Sequence, residues 1–235
     1  MYELLVERCG LGPGTTVLEV GPGTGQATRR LLELGADPLV AVEPDPALAG
    51  YLTAATDGRP HVVPAPLEEA DLPLADFGLA VAASSFHWVE EDVGLSRIFT
   101  ALRPGGWLAL WWTLFGDEQK DAFMTAIDPL FASLARSPSS GRRGHPRFAL
   151  DTDSRFGALA TAGFEELDHE LIRWSATWDT AGIRALYSTF SPISRLDDVR
   201  REELLDTVAR VAEQQFGGRV ERTLRTSLYT TRRPR

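Results

Sequence analysis

The chain has 235 residues, of which 43% are hydrophobic, so it is long enough to bury one globular core of ordinary size. Its 33 acidic residues outnumber the 24 Lys and Arg, and the net charge of −9 argues against a broad phosphate-binding surface and therefore against nucleic acid as a partner. The single cysteine excludes an intrachain disulfide and no apolar run reaches the about 18 residues of a membrane span, so we expect a cytoplasmic protein without a membrane partner.

Strand-like and helix-like segments alternate along the chain. Predicted strands lie near 17–20, 39–43, 61–63, 79–83 and 107–112, and predicted helices near 2–9, 25–34, 46–55, 92–102 and 118–135. A turn-rich basic linker follows at 137–146, then an extended segment at 164–178 and a helical one at 180–215. This alternation predicts a parallel sheet covered on both faces by right-handed crossover helices.

Three glycines at alternate positions, Gly21, Gly23 and Gly25, follow the first predicted strand. Glycine tolerates positive φ and has no Cβ, so a ligand can approach the backbone closely. The helix predicted directly afterwards would aim its free N–H groups at whatever lies over the glycines. The segment therefore predicts a cofactor-binding turn, which also includes Pro22 and Thr24.

An acidic residue follows the second predicted strand. Glu43 comes 22 residues after Gly21, and in doubly wound sheets an acid about 20 residues beyond the glycine turn accepts hydrogen bonds from ribose hydroxyls. The alternative is that Glu43 only caps the strand or faces solvent before Pro44. The preceding glycines favour the ribose-binding interpretation.

The residues around the glycines distinguish between cofactors. A dinucleotide-binding turn prefers Gly or Ala where this chain has Gln26, and Glu19 would repel a pyrophosphate but attract a cation. Glu-x-Gly-x-Gly-x-Gly from Glu19 to Gly25, with the second-strand acid, resembles the motif of class I S-adenosylmethionine-dependent methyltransferases. The resemblance implies S-adenosyl-L-methionine, whose ammonium Glu19 would attract, as the cofactor. An NAD-binding oxidoreductase is the alternative.

Later segments extend the resemblance. Residues 84–89 resemble the end of the fourth strand in the type-11 methyltransferase group, which includes trans-aconitate methyltransferases, and residues 102–110 resemble its Pro-Gly-Gly turn into the fifth strand. Residues 162–165 and 227–232 are similar to the start of the sixth strand and to the seventh strand.

The resemblance implies one Rossmann-like α/β domain over residues 1–235. Its doubly wound seven-stranded sheet would have the order 3-2-1-4-5-7-6, with the last strand antiparallel. Residues 1–113 would form the cofactor-binding half, and helical insertions at 114–163 and 179–218 would form the lid over the acceptor. Relatives commonly carry a longer N-terminal segment over the cofactor, so we also expect a more open site here or a lid that takes its place.

The resemblance also implies a set of cofactor contacts. The adenine would lie against the residues after the third strand, where the Asp of many relatives is absent and backbone atoms or Glu68 are left as its partners. The expected cofactor-binding residues are Glu19, Gly21, Pro22, Gly23, Thr24, Gly25, Glu43, Pro44, Pro66, Leu67, Ala83 and Ser84.

Three residues are candidates for chemistry or acceptor binding. His87 could remove a proton near neutral pH, although a histidine before a tryptophan in this family can instead position the loop or cofactor. Trp112 would form an aromatic wall for the acceptor or the sulfonium, or else belong to the core. Arg143 would pair with a carboxylate acceptor, or else lie in a solvated loop. The histidines and the cysteine lack metal-ligand spacing, so no metal site is expected.

These observations predict methyl transfer to a small-molecule acceptor, at a carboxylate or a hydroxyl, by a monomer or a homodimer. Two alternatives stay open. One is the oxidoreductase, and the other is a protein of this fold that binds the cofactor without methylating.

Overall fold

A computed structural model describes residues 1–115, 121–132, 134 and 146–235, and in this part of the chain seven strands form one sheet. The strands are β1 (Thr15–Val20), β2 (Ala36–Val42), β3 (His61–Val63), β4 (Phe77–Ala83), β5 (Leu102–Phe115), β6 (Glu165–Asp179) and β7 (Arg219–Arg232). The helices are α1 (Tyr2–Glu7), α2 (Gln26–Glu33), α3 (Pro46–Ala55), α4 (Glu91–Ala101), α5 (Ala122–Phe131), α6 (Thr152–Thr161), α7 (Thr180–Ser188), α8 (Ser191–Ser194) and α9 (Asp198–Phe216).

The sheet has the order β3-β2-β1-β4-β5-β7-β6, which confirms the predicted topology. The five strands from β3 to β5 in this order pair in parallel. Strand β7 runs antiparallel to β5. Gly105 donates to the carbonyl of Arg233 while the Thr113 hydroxyl bonds that of Thr226, so the residue number rises along β5 as that of its partner on the β7 side falls. The strand order reverses at β1, and in open sheets of this kind ligands bind outside the carboxyl ends of the strands at that reversal.

The chain divides into two compact units. The first consists of residues 1–112, 148–170 and 227–235, and the second of residues 113–147 and 171–226. Residues 152–161, which we expected within the first lid insertion, form helix α6 and belong to the first unit. The proposed boundaries of the cofactor-binding half and of the lid stay predictions.

Each unit has its own apolar interior. In the first unit strand β4 has no polar side chain, and Val17 and Leu18 of β1 are fully buried like Leu79 and Val81 of β4, as expected for strands covered on both faces. In the second unit, helices α5, α7, α8 and α9 and strand β7 share one cluster, formed by Phe123, Ile127, Ile183, Tyr187, Ile193, Leu205, Val208, Ala212 and Val220.

The helical segment predicted at 180–215 is not continuous. It forms α7, α8 and α9, because Pro192 lies at the start of α8, and the Asp197 carboxylate accepts the N–H of Arg200 and so caps a new helix at α9. Helix α6, capped by Asp151, was not predicted. Of the predicted linker, residues 137–145 lie outside the described residues.

Candidate functional site

The glycine turn joins β1 to α2 and has the backbone conformation that its sequence predicts. Gly21, Gly23 and Gly25 have φ values of 64°, 56° and 77°, a region that residues with a Cβ seldom adopt. A Cβ on Gly21 would approach Ser85 Cβ to 2.5 Å, and one on Gly25 would approach Leu52 Cδ1 to the same distance, whereas a Cβ on Gly23 would project into open space. The outer two glycines therefore permit close packing, and Gly23 leaves room for a ligand.

The N-terminus of α2 adds hydrogen-bond donors to this turn. Gly25 is the N-cap residue and has no side chain to cap the helix. The first N–H groups of a helix have no partner within the helix, and they favour negative or electron-rich ligand atoms.

Glu43 lies directly after β2 and is 4% exposed. Its Oε2 accepts the N–H of Gly23 at 3.0 Å, and its Oε1 accepts the N–H of Asp45 at 3.0 Å. The carboxylate is thus fixed against the glycine turn, while each oxygen keeps a second lone pair for a ligand hydroxyl. The sequence predicted the acid but not its hydrogen bond to Gly23.

Glu19, on β1, is fully buried, and within the described residues neither of its carboxylate oxygens has a partner at hydrogen-bond geometry. Burial raises its pKa to about 7, the charge of Glu43 adds to this shift, and the nearby Thr28 hydroxyl opposes it. An ionised carboxylate buried without a partner is costly, so such a group is stabilised when a cation binds beside it. These residues fit the ammonium of S-adenosylmethionine.

Helix α1 adds Tyr2, which the sequence gave no reason to select. Its ring lies edge-on to Trp111 at 6.1 Å, and the Arg30 guanidinium lies 5.9 Å from its centre. Burial raises the pKa of Tyr2 to about 12, and the negative charge of Glu19 contributes. The start of the chain therefore lies near the carboxylate expected to attract the cofactor ammonium.

The end of β4 is held between its two neighbouring strands. Ser84 has a φ of 56°, unusual for a residue with a side chain, and its N–H donates to the carbonyl of Trp111 at 2.7 Å. The Ser85 hydroxyl donates to the carbonyl of Val20 at the end of β1. Ser84 is exposed and Ala83 is half-buried, so both can contact a ligand at this edge of the sheet.

His87 lies in a short 3-10 turn after β4 and is half-buried. Its Nδ1 accepts a hydrogen bond of 3.0 Å from the indole Nε1–H of Trp112. Burial lowers the pKa of His87 to about 4, so the ring is neutral near pH 7. Trp112 itself is 3% exposed, which leaves its ring little surface for an acceptor.

His87 and Trp112 contact a cluster that the sequence did not indicate. The Phe148 ring lies 6.3 Å from His87 and 5.3 Å from Trp112, and the Arg155 guanidinium lies 3.7 Å above it. Arg155 Nη1 is 3.0 Å from Glu91 Oε1, although neither Nη1 nor Nε has hydrogen-bond geometry to a partner. The buried cation is therefore stabilised by an aromatic face and by the charge of Glu91, whose own pKa burial raises.

The other predicted contacts lie at the same edge of the sheet or cannot be placed. Thr24 and Pro44 are exposed beside the glycine turn and Glu43, and Pro22 is buried in the turn. After β3, Pro66 is exposed and Leu67 is 3% exposed. The Glu68 carboxylate accepts the N–H of Glu90 at 2.9 Å, so it is already engaged. Arg143 lies outside the described residues.

In the part of the chain that the structure describes, no group of three or more His, Cys, Asp or Glu could hold a metal ion. No helix in this part combines the length and the apolar character needed to cross a membrane.

Comparison with known sequences identifies a domain in the N-terminal half of the chain. Residues 18–110 match the model of a methyltransferase domain. An uncharacterized methyltransferase of Mycobacterium bovis is 38% identical over 98 residues, which are 41% of this chain and 39% of that protein. Another, from Schizosaccharomyces pombe, is 23% identical over 235 residues, covering 97% of this chain and 88% of that protein. A ribosomal RNA small subunit methyltransferase A of Sinorhizobium medicae is 37% identical over 116 residues, 47% of this chain and 40% of that protein.

Solved structures share the fold at low identity. A structure described as a type II methyltransferase from Anaeromyxobacter dehalogenans has a TM-score of 0.66 at 20% identity and covers 100% of this chain and 97% of its own. A Haemonchus contortus phosphoethanolamine N-methyltransferase with S-adenosylhomocysteine bound has a TM-score of 0.60 at 12% identity, and the match covers 100% of this chain and 52% of that one. The [4+2]-cyclase SpnF has a TM-score of 0.62 at 19% identity, and the match covers 99% of this chain and 80% of that one.

The matched domain, the strand order and a site whose buried carboxylate and glycine turn fit S-adenosylmethionine agree with one another. Residues 18–110 are therefore a methyltransferase domain, and the described part of the chain has the fold of class I S-adenosylmethionine-dependent methyltransferases.

Proposed function

We propose that this chain transfers a methyl group from S-adenosylmethionine to an oxygen, carboxylate or hydroxyl, of a small-molecule acceptor. The observation that carries the proposal is Glu19, a fully buried carboxyl group in the strand that leads into the glycine turn, with no hydrogen-bond partner among the described residues. A cationic ligand would stabilise the ionised carboxylate, whereas a pyrophosphate would be repelled by it. The site thus supports the methyl donor over a nicotinamide dinucleotide.

The residues divide the work of holding the donor. Glu19 would attract the ammonium, Glu43 would accept the ribose hydroxyls, and the space over Gly23 would take the ligand backbone. Ser84 with Ala83 and Pro66 with Leu67 would line the edges of the same cleft, beside Pro22, Thr24 and Pro44.

When bound, S-adenosylmethionine supplies a methyl group made electrophilic by its sulfonium. What the protein adds is alignment of the acceptor and exclusion of water, effects that reach roughly 7–11 kcal/mol in favourable cases. Arg143 with a carboxylate acceptor, and His87 through a hydrogen bond, are the two polar contacts proposed for the acceptor side.

The donor site is tested by a matched pair of glycine variants. Gly23 and Gly58 both have positive φ, 56° and 66°, and in both cases an added Cβ meets nothing within 4 Å. Ala at either position costs about 1–2 kcal/mol in backbone strain. Only Gly23→Ala puts a methyl group into the proposed ligand space, so we expect it to weaken S-adenosylmethionine binding at least about tenfold, and Gly58→Ala to leave binding unchanged.

Isothermal titration with S-adenosylmethionine and S-adenosylhomocysteine measures both affinities, and chemical denaturation confirms equal strain. Absence of heat from the wild-type protein with either compound would overturn the donor site. Equal weakening in both glycine variants would show that strain, not the ligand space, explains the effect.

The comparisons suggest two alternatives, a different acceptor and a different reaction, and one experiment distinguishes both from the proposal. The ribosomal RNA methyltransferase among the relatives suggests RNA, and the cyclase among the structures suggests a reaction other than methylation. The net charge of −9 favours the small molecule over RNA. Incorporation of a labelled methyl group into total RNA rather than into a metabolite extract would reverse this order, and donor binding without any labelled product would support the cyclase-like alternative.

A further inference from the structure

The hydrogen bond between Trp112 and His87 fixes which nitrogen of the imidazole carries a proton. The indole N–H can only donate, so Nδ1 of His87 must accept and cannot be protonated. A neutral imidazole then carries its proton on Nε2. Rotating the ring by 180° would place a carbon opposite the indole and lose the bond, so the orientation and the tautomer are determined together.

The indole that imposes this tautomer is itself held rigidly. The Trp112 ring makes edge contacts with Phe148 at 5.3 Å and with Tyr229 at 6.1 Å. Tyr229 is fixed in turn by a hydrogen bond to the carbonyl of Ala149 and by stacking on His169 at 4.4 Å. The donor therefore cannot turn away from His87 without disturbing several buried rings.

The other nitrogen of His87 is available to a ligand. Within the described residues no hydrogen bond involves Nε2, and it is not among the buried polar atoms that lack a partner. Burial disfavours the charged ring, so near neutral pH this atom presents one N–H donor and no lone pair. In this tautomer His87 can donate to an acceptor oxygen but cannot take a proton from it.

We infer that His87 binds the acceptor as a hydrogen-bond donor through Nε2–H, that Trp112 is its positioning residue, and that the acceptor is a carboxylate. The inference rests on the proposed methyl transfer and names its substrate class. When a carboxylate oxygen attacks the methyl group, its existing lone pair forms the C–O bond, the S–CH₃ electron pair returns to sulfur, and no proton leaves. Transfer to a hydroxyl or an amine would instead release a proton that His87 in this tautomer has no free lone pair to accept.

The neighbouring charges agree with a neutral donor at this position. Arg155, which lies over the ring of Phe148, is paired with Glu91, so the two charges largely cancel near His87. The carboxylate would therefore be held by directed hydrogen bonds from neutral groups. A hydrogen bond to a charged acceptor is stronger than one between neutral groups, which makes a single donor effective.

Three variants separate donation from proton removal. His87→Gln keeps an N–H donor near the position of Nε2 but has no basic nitrogen, and His87→Leu keeps neither. We expect His87→Leu to lower kcat/KM for a carboxylate about 10- to 100-fold, and His87→Gln to retain most of it. Trp112→Phe keeps an aromatic ring but removes the indole N–H. His61→Gln on β3 and Trp107→Phe earlier on β5 are the matched controls.

The acceptors assayed are benzoate, succinate and trans-aconitate, with phenol, benzyl alcohol and aniline as acceptors that must lose a proton. Methyl esters are detected by mass spectrometry. In parallel, nitrogen NMR of the ¹⁵N-histidine-labelled protein reads the tautomer of His87 directly, identified by the signal that His87→Gln removes. We expect protonated Nε2 and unprotonated Nδ1 in the wild type and in Trp107→Phe, and a mixed tautomer in Trp112→Phe.

Each contrary result overturns the inference. These results are a proton on Nδ1 in the wild type, His87→Gln as inactive as His87→Leu, methylation of phenol or aniline in preference to the carboxylates, or no methyl ester from any carboxylate. Titration with S-adenosylmethionine distinguishes this from failure of the proposed function. Absence of binding would refute methyl transfer itself, whereas binding with phenol methylation would refute only the carboxylate assignment.

Discussion

At the scale of single residues, Glu19 links donor binding to pH. Its pKa of about 7 lies above the ordinary value of 4.5, so between pH 4.5 and about pH 7 the protein without ligand holds a proton on Glu19. A bound ammonium favours the charged form and lowers that pKa, so binding releases the proton. Affinity should therefore rise with pH up to about 7 and level off, then fall above about 8 as the ligand α-amino group loses its charge.

Titration of S-adenosylhomocysteine in buffers of different ionisation enthalpy counts the released protons. We expect about half a proton per ligand bound at pH 7 in the wild type and none in Glu19→Gln. The exposed Glu69→Gln is the control and should match the wild type. The same proton release from Glu19→Gln would assign the titration to another group.

The same raised pKa has a consequence for folding. Because the folded chain binds this proton more tightly than the unfolded chain, stability falls as pH rises from about 4.5 through about 7. The cost is borne by the protein without ligand and is removed by donor binding, as expected when a functional carboxylate is kept in place at the expense of stability.

Sequence reasoning at this scale selected Glu19, Glu43 and the glycines because the two acids and the glycine turn occur together at the spacing of a ligand site. Their roles toward the donor stay predictions, and the sequence did not indicate their partners in the fold. The bond from Trp112 to His87, and the position of Arg155 over Phe148, join residues 25 or fewer positions apart in sequence but on different elements. Such contacts depend on side-chain directions after folding, which spacing along the chain does not specify.

At the scale of elements, Arg222 on β7 joins two helices of the second unit. It is fully buried, its Nε lies 2.7 Å from Asp121 Oδ2 at the start of α5, and its Nη1 donates to the Tyr187 hydroxyl of α7 at 2.7 Å. The guanidinium also lies 5.2 Å from the ring centre of Phe115 and 5.5 Å from that of Phe123, and its Nη2 has no hydrogen-bond partner among the described residues. One side chain thus ties a strand to two helices inside an apolar cluster.

Breaking this buried ion pair should loosen the second unit. We expect Arg222→Met to lower the free energy of unfolding by about 3 kcal/mol, the smaller end of the range for such pairs, because Asp121 keeps some solvent contact. Hydrogen exchange should accelerate in α5 and α7, and change little in β1 and β4. The control is Arg184→Met, which removes only exposed pairs to Glu202 and Asp206. Equal acceleration of hydrogen exchange in both variants would contradict the role of Arg222 in joining β7 to α5 and α7.

The elements themselves were predictable to different degrees. Strands β1 to β4 each contain a short run of apolar residues, so their approximate positions and their parallel order followed from the sequence and the family resemblance. The second unit was harder, because residues 180–215 have helical spacing throughout while Pro192 and the cap at Asp197 interrupt the helix locally. Helix α6 was missed because its apolar positions, including Leu159, are few and its only clear marker is the cap at Asp151.

At the scale of the whole molecule, all of the proposed donor contacts belong to the first unit. A ligand that binds only the folded protein stabilises it by an amount set by its concentration relative to Kd. S-adenosylhomocysteine at a hundredfold excess over Kd should therefore raise the free energy of unfolding by about 2.7 kcal/mol. Because the ligand would contact the glycine turn and Glu43, the largest hydrogen-exchange protection should appear at the end of β1, the start of α2 and residues 43–45.

This stabilisation distinguishes a specific donor site from weak association with the surface. In Gly23→Ala, the same ligand concentration should give a smaller increase in unfolding free energy, since its Kd is raised, while Gly58→Ala should respond like the wild type from an equally lowered starting stability. Denaturant titrations of the three proteins at fixed ligand concentration measure these differences. Equal stabilisation of Gly23→Ala and Gly58→Ala, or protection away from the carboxyl ends of β1 and β2, would place the donor elsewhere. Glu19 would then have no part in binding the methyl donor.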